Sequence, residues 1–298
     1  MAKYSIRTDL ACESEAVHDA GKNGTAYTEE ERDGFRVAKL TVQNEVGERA
    51  TGKRRGTYVT IFSALLCDEG EERLDALAAL VAEQIGALAK NLLSGEPRCV
   101  LVAGLGNREI TADCIGPKTV DKLTVTRHIR AHDEALFNRF CRVPLCAIAP
   151  GVLGQTGIET AELLGGVLDC AKPDLVIAVD ALAARSVKRL GATVQISDAG
   201  IFPGSGIGNR RSEISRESLG VPVIALGVPT VVNSATLVYD ALQSAGYGEV
   251  DGKIEKVLHE GESFFVSPRQ SDRISESVSD LFADAIDRLY LYGKEETT

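Results

Sequence analysis

The sequence predicts a single α/β domain, a three-layer α/β/α sandwich around a mainly parallel or mixed central sheet. The chain has 298 residues, 44% of them hydrophobic, which suffices for one large core. Short apolar runs rich in Val, Ile, Leu and Ala alternate with segments of helical periodicity, and such runs are typical of strands covered on both faces. No internal repeat or linker divides the chain, so we expect one domain over residues 1–298.

Each predicted element follows from its local pattern. Residues 1–53 are polar and charged, which indicates a solvated arm or a surface helix, or else a regulatory segment. Pro117 suits the first turn of a helix, and Thr156 with Glu159 forms a capping-box pattern. The predicted strands are 58–66, 99–104, 144–149, 175–180, 193–197 and 221–227. The predicted helices are 71–93, 117–128, 157–171, 233–245 and 273–291.

Charge and cysteine content narrow the function classes. The net charge of −10 argues against a nucleic-acid-binding face, which needs clustered Lys and Arg. No apolar run approaches the roughly 20 residues that span a bilayer, and the N-terminus has no signal-like apolar region. The seven cysteines are odd in number and form no CxxC, which predicts reduced thiols. We therefore expect a cytoplasmic protein that contacts neither nucleic acid nor membrane.

A glycine-rich turn, Gly104-Leu105-Gly106-Asn107, follows the strand 99–104 and suggests a phosphate-binding loop. Glu109 stands where a dinucleotide motif needs its third glycine, and no P-loop pattern occurs. The stretch PGSGIGNRR (203–211) could form an anion-binding nest or a flexible surface loop, and the sequence leaves both open. Neither stretch predicts a nucleotide cofactor.

Nucleophile and metal motifs are also missing from the sequence. There is no GxSxG and no HExxH, and His128 and His132 are best explained as one solvated helix face. A Cys–His protease is not excluded by composition, although the cysteines in apolar contexts resemble core residues. We expect no metal site and no cofactor.

Two carboxylates are the strongest catalytic candidates. Asp180 is predicted at the end of the strand 175–180, and Asp113 follows the strand 99–104, so both should reach the same sheet edge. Neighbouring carboxylates push their pKa values apart, which suits activation of water against an amide carbonyl. Each aspartate could instead be a loop or cap residue, and Asp198 is a third candidate.

Six stretches of the chain, in order from about residue 4 to 240, resemble the spore germination proteases of endospore-forming bacteria. They are YSIRTDLACE (4–13), VLVAGLGNREITADCIGP (100–117), APGVLGQTGIET (149–160), PDLVIAVDALAAR (173–185), QISDAGIFPGSGIGNRR (195–211) and LGVPVIALGVPTVVN (219–233). The resemblance implies an atypical aspartic endopeptidase that degrades small acid-soluble spore proteins during germination. It also implies a fold similar to the hydrogenase-maturation proteases and places the essential acids at Asp113 and Asp180.

The same resemblance implies an inactive zymogen that works as a homotetramer in the cytoplasm of the spore core, without metal or cofactor. Family substrates are cut after an acid in a context like Thr-Glu-Phe-Ala-Ser-Glu, and Thr8 to Glu13 repeat that pattern. We therefore expect self-cleavage between Asp9 and Leu10, with residues 1–9 as propeptide.

We expect the loop after the predicted strand 99–104 to have a supporting role in the site. We expect Gly104, Gly106, Asn107 and Thr111 to support the acid pair, with backbone N–H groups that orient the substrate or polarise its carbonyl.

The chain also departs from the family pattern. The family's usual TPDALGP is TADCIGP here (111–117), which keeps the acid. Asn233 stands where the family usually has Asp, which puts a catalytic role there in doubt, and Ala199 argues against Asp198 as a pepsin-like acid.

Two alternative functions stay open at this point. A metal-dependent maturation protease of the hydrogenase type should need a histidine near the acids, and none adjoins either motif. A non-catalytic peptide- or ligand-binding protein on the same fold would not require both acids.

Overall fold

The computed structural model describes residues 8–203, 212–247, 254, 257–258 and 264–292. The strands are β1 Thr25–Arg32, β2 Phe35–Val42, β3 Gly56–Phe62, β4 Val100–Gly104, β5 Leu145–Ile148, β6 Leu175–Ala184, β7 Thr193–Ser197, β8 Val223–Asn233 and β9 Phe265–Val266. The helices of the described residues are α1 Glu45–Thr51, α2 Glu71–Leu92, α3 Ile115–Lys122, α4 Arg127–His132, α5 Glu134–Phe140, α6 Leu153–Thr156, α7 Thr160–Ala171, α8 Arg216–Leu219, α9 Ser234–Ser244 and α10 Ser271–Tyr290. Among these helices, none is long and apolar enough to cross a membrane.

The strands within the described ranges form one mixed sheet in the order β1-β2-β3-β7-β8-β6-β4-β5, and β9 pairs with β8. The strands β5, β4, β6 and β8 run parallel to one another, as expected for the βαβ alternation in the sequence. The strands β1, β2, β3 and β7 join antiparallel at the β8 side. The predicted α/β fold is confirmed, with a sheet that is mixed.

Helices cover both faces of this sheet. On one face α2 and α10 pack against side chains of β3, β4, β6, β7 and β8 to form the largest hydrophobic core. The predicted apolar stripe of the last helix is buried there, including Ile274, Val278 and Phe282. On the opposite face Leu164 of α7 packs over Leu101 and its neighbours. The hydrophobic cluster on this second face is the smaller of the two, and Asp180 shares the face with Val176 and Ala178 of β6.

The expectation of a solvated arm over residues 1–53 is wrong for much of its described part. The strands β1 and β2 form a hairpin that extends the sheet through β3. Phe35, Val37 and Leu40 on β2 are buried, while the acidic residues of β1 face solvent at the sheet edge. Because the edge strand β1 is highly charged, the sequence pattern does not indicate a hairpin here.

Two predicted helix boundaries and one predicted helix cap also differ from the structure. The helix predicted over 117–128 ends at Lys122, where the backbone becomes extended before α4. The predicted helix 157–171 begins only at Thr160, because Gly157 at φ +72° terminates α6. Glu159 precedes α7 without a side-chain cap, so the predicted capping box is not formed.

Candidate active site

Asp113 lies in a loop that folds back on the end of β4. Gly106 has a φ of +107°, and a Cβ there would lie 2.0 Å from the backbone oxygen of Asp113, so glycine is required. The N–H of Asn107 donates to Oδ2 of Asp113 at 2.8 Å. On β8, Oγ1 of Thr230 donates to the backbone oxygen of Ala112 at 2.6 Å. The glycine-rich turn therefore positions a carboxylate.

Two further glycines bring this loop up to β6. A Cβ on Gly104 would lie 2.2 Å from the backbone oxygen of Gly116, which lies in the first turn of α3. A Cβ on Gly116 would lie 2.5 Å from the backbone oxygen of Val179. Because Val179 immediately precedes Asp180, this close packing places Asp113 beside Asp180.

Asp180 is buried, with 6% of its surface exposed. Its Oδ1 accepts the N–H of Ala181 at 2.9 Å. Burial raises the pKa of Asp180 well above its ordinary value, and the nearby carboxylates of Asp113 and Asp9 raise it further, while the Ala181 N–H opposes them. This environment favours a protonated Asp180 beside the carboxyl groups of Asp113 and Asp9.

The prediction that Asp180 ends its strand is wrong. The strand β6 continues to Ala184, because β8 runs beside it as far as Val232 and the last three residues, Leu182, Ala183 and Ala184, are apolar and buried. A register shift between Leu182 and Ala183 interrupts the pairing with β8 at this point. The continuation of β6 supplies backbone groups that bind the N-terminal segment.

The segment Thr8–Glu13 lies against this continuation of β6. The N–H of Asp9 donates to the backbone oxygen of Ala183 at 2.8 Å. The N–H of Ala183 in turn donates to Oδ2 of Asp9 at 2.8 Å. Both the backbone and the side chain of Asp9 are thus held by one residue of β6, close enough to Asp180 to influence its pKa.

The two residues after Asp9 are fully buried. Leu10 and Ala11 each have 0% of their surface exposed. Leu10 fills an apolar pocket of Leu182, Ala184, Leu190 and Val232. Ala11 packs against Leu40, Val42, Tyr58 and Ala199. The first pocket suits a bulky apolar side chain, and the second leaves space only for a small one.

Glu13 is held at the far end of the segment. Its carboxylate accepts the N–H of Arg185 at 2.7 Å and the N–H of Ser186 at 3.0 Å, and Oγ1 of Thr8 also donates to it. The guanidinium of Arg185 pairs with Asp240 through Nε at 3.0 Å and Nη2 at 2.8 Å. Backbone N–H groups thus bind the Glu13 carboxylate, while the arginine side chain is committed elsewhere.

Gln195 and Lys53 complete the site, and sequence reasoning missed both. Nε2 of Gln195 donates to the backbone oxygen of Asp9 at 3.0 Å, and its Oε1 accepts the N–H of Ala11 at 2.7 Å. Nζ of Lys53 donates to the backbone oxygen of Thr8 at 2.8 Å, and burial lowers the pKa of this lysine. Lys53 lies in none of the stretches that resemble the family. Gln195 begins the stretch 195–211, but only the register between β7 and β8 places its side chain opposite Asp180.

The other candidate residues have contacts that indicate structural roles. Oδ1 of Asp198 accepts the N–H of Thr57 at 2.6 Å, and burial raises the pKa of Asp198. Asn233 is the N-cap of α9, where its side chain accepts two backbone N–H groups. Thr111 begins the 3-10 turn that ends at Asp113. Of the stretch PGSGIGNRR, residues 204–211 lie outside the described residues.

The predicted reduced state of the cysteines agrees with the structure, since all seven are free thiols. His128 and His132 lie exposed on α4, as expected for a solvated helix face. Within the described ranges, no group of three or more His, Cys, Asp or Glu side chains could hold a metal ion.

Comparison with a hydrogenase maturation protease, the [NiFe] hydrogenase maturation protease HycI from Thermococcus kodakarensis, gives a TM-score of 0.30 at 15% identity. The match covers 65% of this chain and 98% of that structure, and at this TM-score it supports no conclusion about fold or activity.

Comparison with known sequences gives a specific result. The model of the germination protease family matches residues 6–245. The germination protease of Priestia megaterium is 41% identical over 252 residues, which cover 81% of this chain and 67% of that protein. The corresponding protein of Caldanaerobacter subterraneus is 45% identical over 80% of this chain and 72% of its own length. That of Clostridium perfringens is 40% identical over 95% of this chain and 94% of its own. By these matches, the chain belongs to the germination protease family.

Proposed function

We propose that this member of the germination protease family is an aspartic endopeptidase, made as a zymogen that cuts its own Asp9–Leu10 bond. The observation that carries the proposal is the position of the segment Thr8–Glu13. This acid-containing stretch of the chain's own sequence occupies a groove beside the buried Asp180, and its contacts hold the peptide unit after Asp9. A bound but uncut substrate would lie in such a groove.

The acid pair has the chemistry for hydrolysis. In the proposed reaction the carboxylate of Asp113 takes a proton from water as the water oxygen adds to the carbonyl carbon of Asp9. The protonated Asp180 then gives its proton to the nitrogen of Leu10 as the C–N bond breaks. The products are a free carboxyl group on Asp9 and a free amino group on Leu10, and the pair again holds one proton. The raised pKa of Asp180 supports its role as the acid.

The binding pockets support a substrate class. The groove holds an acid before the cut, a bulky apolar residue after it, then a small residue, and an acid at the position of Glu13. Small acid-soluble spore proteins with the Thr-Glu-Phe-Ala-Ser-Glu pattern would fit these pockets once Leu10 to Glu13 have also left them. We therefore propose that the enzyme initiates degradation of these proteins during spore germination, in the spore cytoplasm and as a homotetramer.

Self-cleavage by the full-length protein tests the acid pair. Wild type, Asp113→Asn and Asp180→Asn are incubated over a pH series, and intact mass spectrometry follows the appearance of a chain that begins at Leu10. We expect both variants to cleave at least about 1,000-fold more slowly than wild type. Asp169→Asn is the matched control, since Asp169 is exposed on α7, and it should cleave normally.

A parallel incubation with a purified small acid-soluble spore protein tests the substrate. Cleavage that survives in both aspartate variants would overturn the acid-pair mechanism. Loss of wild-type cleavage on addition of a chelator would favour a metal-dependent protease instead. A wild-type chain that leaves the spore protein intact after losing its first nine residues would refute the proposed substrate.

A further inference from the structure

Gln195 touches the peptide bond that the proposed function cuts. The backbone oxygen of Asp9, 3.0 Å from Nε2 of Gln195, is the carbonyl oxygen of the Asp9–Leu10 bond. The other amide atom, Oε1, accepts the N–H of Ala11 at 2.7 Å. One side-chain amide therefore spans the scissile bond and binds the chain on both of its sides.

The hydrogen bonds determine which end of the amide faces the carbonyl. The N–H of Ala11 is a donor and requires the amide oxygen as its acceptor. The NH₂ group must then face the oxygen of Asp9, because the reversed amide would oppose donor to donor and acceptor to acceptor. Gln195 is itself buried, with 8% of its surface exposed, so its orientation is held by these partners.

The sheet register places Gln195 opposite the buried acid. Gly227 on β8 pairs with Asp180 of β6 on one side and with Gln195 of β7 on the other. Directly paired residues point to the same face of a sheet, and the two outer strands are about 10 Å apart, twice the usual strand spacing. Asp180 and Gln195 therefore flank a slot whose floor is Gly227.

Gly227 leaves room for the side chain of Leu182 in this slot. A Cβ there would lie 2.7 Å from Cγ of Leu182 and 2.9 Å from the backbone oxygen of Asp180. The slot continues into a cavity of about 540 Å³ that Asp9, Lys53 and Gln195 help to line. The scissile peptide is thus held between an acid and an amide donor.

We propose that Gln195 is a catalytic residue whose Nε2–H group binds the scissile carbonyl and stabilises the negative charge that develops on its oxygen. The inference rests on the proposed function, since it concerns the same Asp9–Leu10 bond. As water adds to the carbonyl carbon, the π electrons move onto the oxygen, and the amide N–H remains hydrogen-bonded to it without transferring a proton. When the C–N bond breaks, these electrons re-form the carbonyl. The acid pair thus transfers the protons, and Gln195 stabilises the negative charge on the carbonyl oxygen.

The first experiment measures self-cleavage of Gln195→Met, which keeps the length of the side chain and removes the donor. We expect a loss of about 100- to 1,000-fold in rate, the usual effect of deleting one such donor. Gln84→Met is the matched control, since Gln84 is partly exposed on α2, and its rate should equal that of wild type. A wild-type rate for Gln195→Met, with Asp180→Asn inactive, would overturn the role of Gln195 and leave the acid pair intact.

Gln195→Glu separates a charge-stabilising role from a structural one. The ionised Glu still accepts the N–H of Ala11 but cannot donate to the carbonyl of Asp9, whereas the protonated Glu can donate again. The ratio of variant to wild-type rate should therefore increase as the pH falls. A ratio that does not vary with pH would contradict the proposal, because lost packing alone does not titrate.

A second measurement needs no cleavage. A synthetic peptide of residues 1–11 with a ¹³C carbonyl at Asp9 is joined to the remaining chain at Cys12 by native chemical ligation, in the Asp180→Asn background. Isotope-edited infrared spectroscopy then reports the hydrogen bond to this carbonyl. Gln195→Met should shift the band to higher frequency, and an unshifted band would overturn the contact even if the proposed function fails.

Discussion

Replacing Glu13 with alanine should release the N-terminal segment from the groove. The substitution removes a carboxylate that accepts the N–H of Arg185 at 2.7 Å and that of Ser186 at 3.0 Å. A hydrogen bond to a charged group contributes about 1.5–3 kcal/mol, and we take the lower value because Glu13 is only half-buried. Two such bonds amount to about 3 kcal/mol, which lowers the ratio of docked to undocked segment about 100-fold.

Hydrogen exchange measures this ratio directly. In the Asp180→Asn background, where the segment stays uncut, the N–H groups of Asp9 and Ala11 are bonded in the groove and should exchange slowly. Their protection should fall about 100-fold in Glu13→Ala, and wild-type-like protection would refute the assignment of Glu13 as an anchor. Glu15→Ala is the matched control, because the Glu15 side chain is 90% exposed and should leave protection unchanged.

Three further outcomes follow from the geometry of the site. Because the folded-state pKa of Asp180 is raised, its protonated form stabilises the fold at low pH, and that contribution is lost as the pH rises through the raised pKa. In urea unfolding, the free energy of unfolding of Asp180→Asn minus that of wild type should increase with pH, by about 1.4 kcal/mol for each unit of the pKa shift. A difference that does not vary with pH would contradict this. Gly227→Ala should lower the unfolding free energy by about 1–3 kcal/mol and stop self-cleavage, because its Cβ would lie 2.7 Å from Cγ of Leu182. Gly165→Ala, with open space around its Cβ, should be stabilising instead, and equal effects of the two substitutions would refute the slot. Asn233→Ala should cost about 1–2 kcal/mol through the lost helix cap and leave self-cleavage unchanged, while Asn233→Asp should retain stability, and inactivity of a folded Asn233→Ala would give this residue a role in the reaction.

The sequence correctly predicts those helices and strands whose buried side is marked by a local pattern of apolar residues. The helix predicted over 71–93 is α2 at Glu71–Leu92, and the one predicted over 273–291 is α10 at Ser271–Tyr290. Both are long and have one apolar face, so their period alone specifies the side that packs on the sheet. The strand predicted over 193–197 is β7 with the same bounds, since its five residues are all buried.

Local patterns miss the features that depend on pairing between strands distant in the sequence. The length of β6 depends on β8, which is distant in sequence, so no local signal shows that the strand continues beyond Asp180. Gln195 lies opposite Asp180 only because both pair with Gly227. The positions of Asp113 and Asp180 follow from the family resemblance and from their places at or after predicted strands. The position of Gln195 opposite Asp180 follows only from the alignment of three strands.

The burial of Leu10 and Ala11 has a consequence for the time course of activation. Cutting the Asp9–Leu10 bond does not by itself empty the groove, because the residues that follow the cut remain attached to the enzyme and fully buried. The new N-terminus is then a tethered product, present at a high effective concentration and in competition with any incoming chain. Maturation in the proposed scheme is therefore two events, hydrolysis and departure. A processed molecule becomes available to other proteins only when Leu10 leaves its pocket.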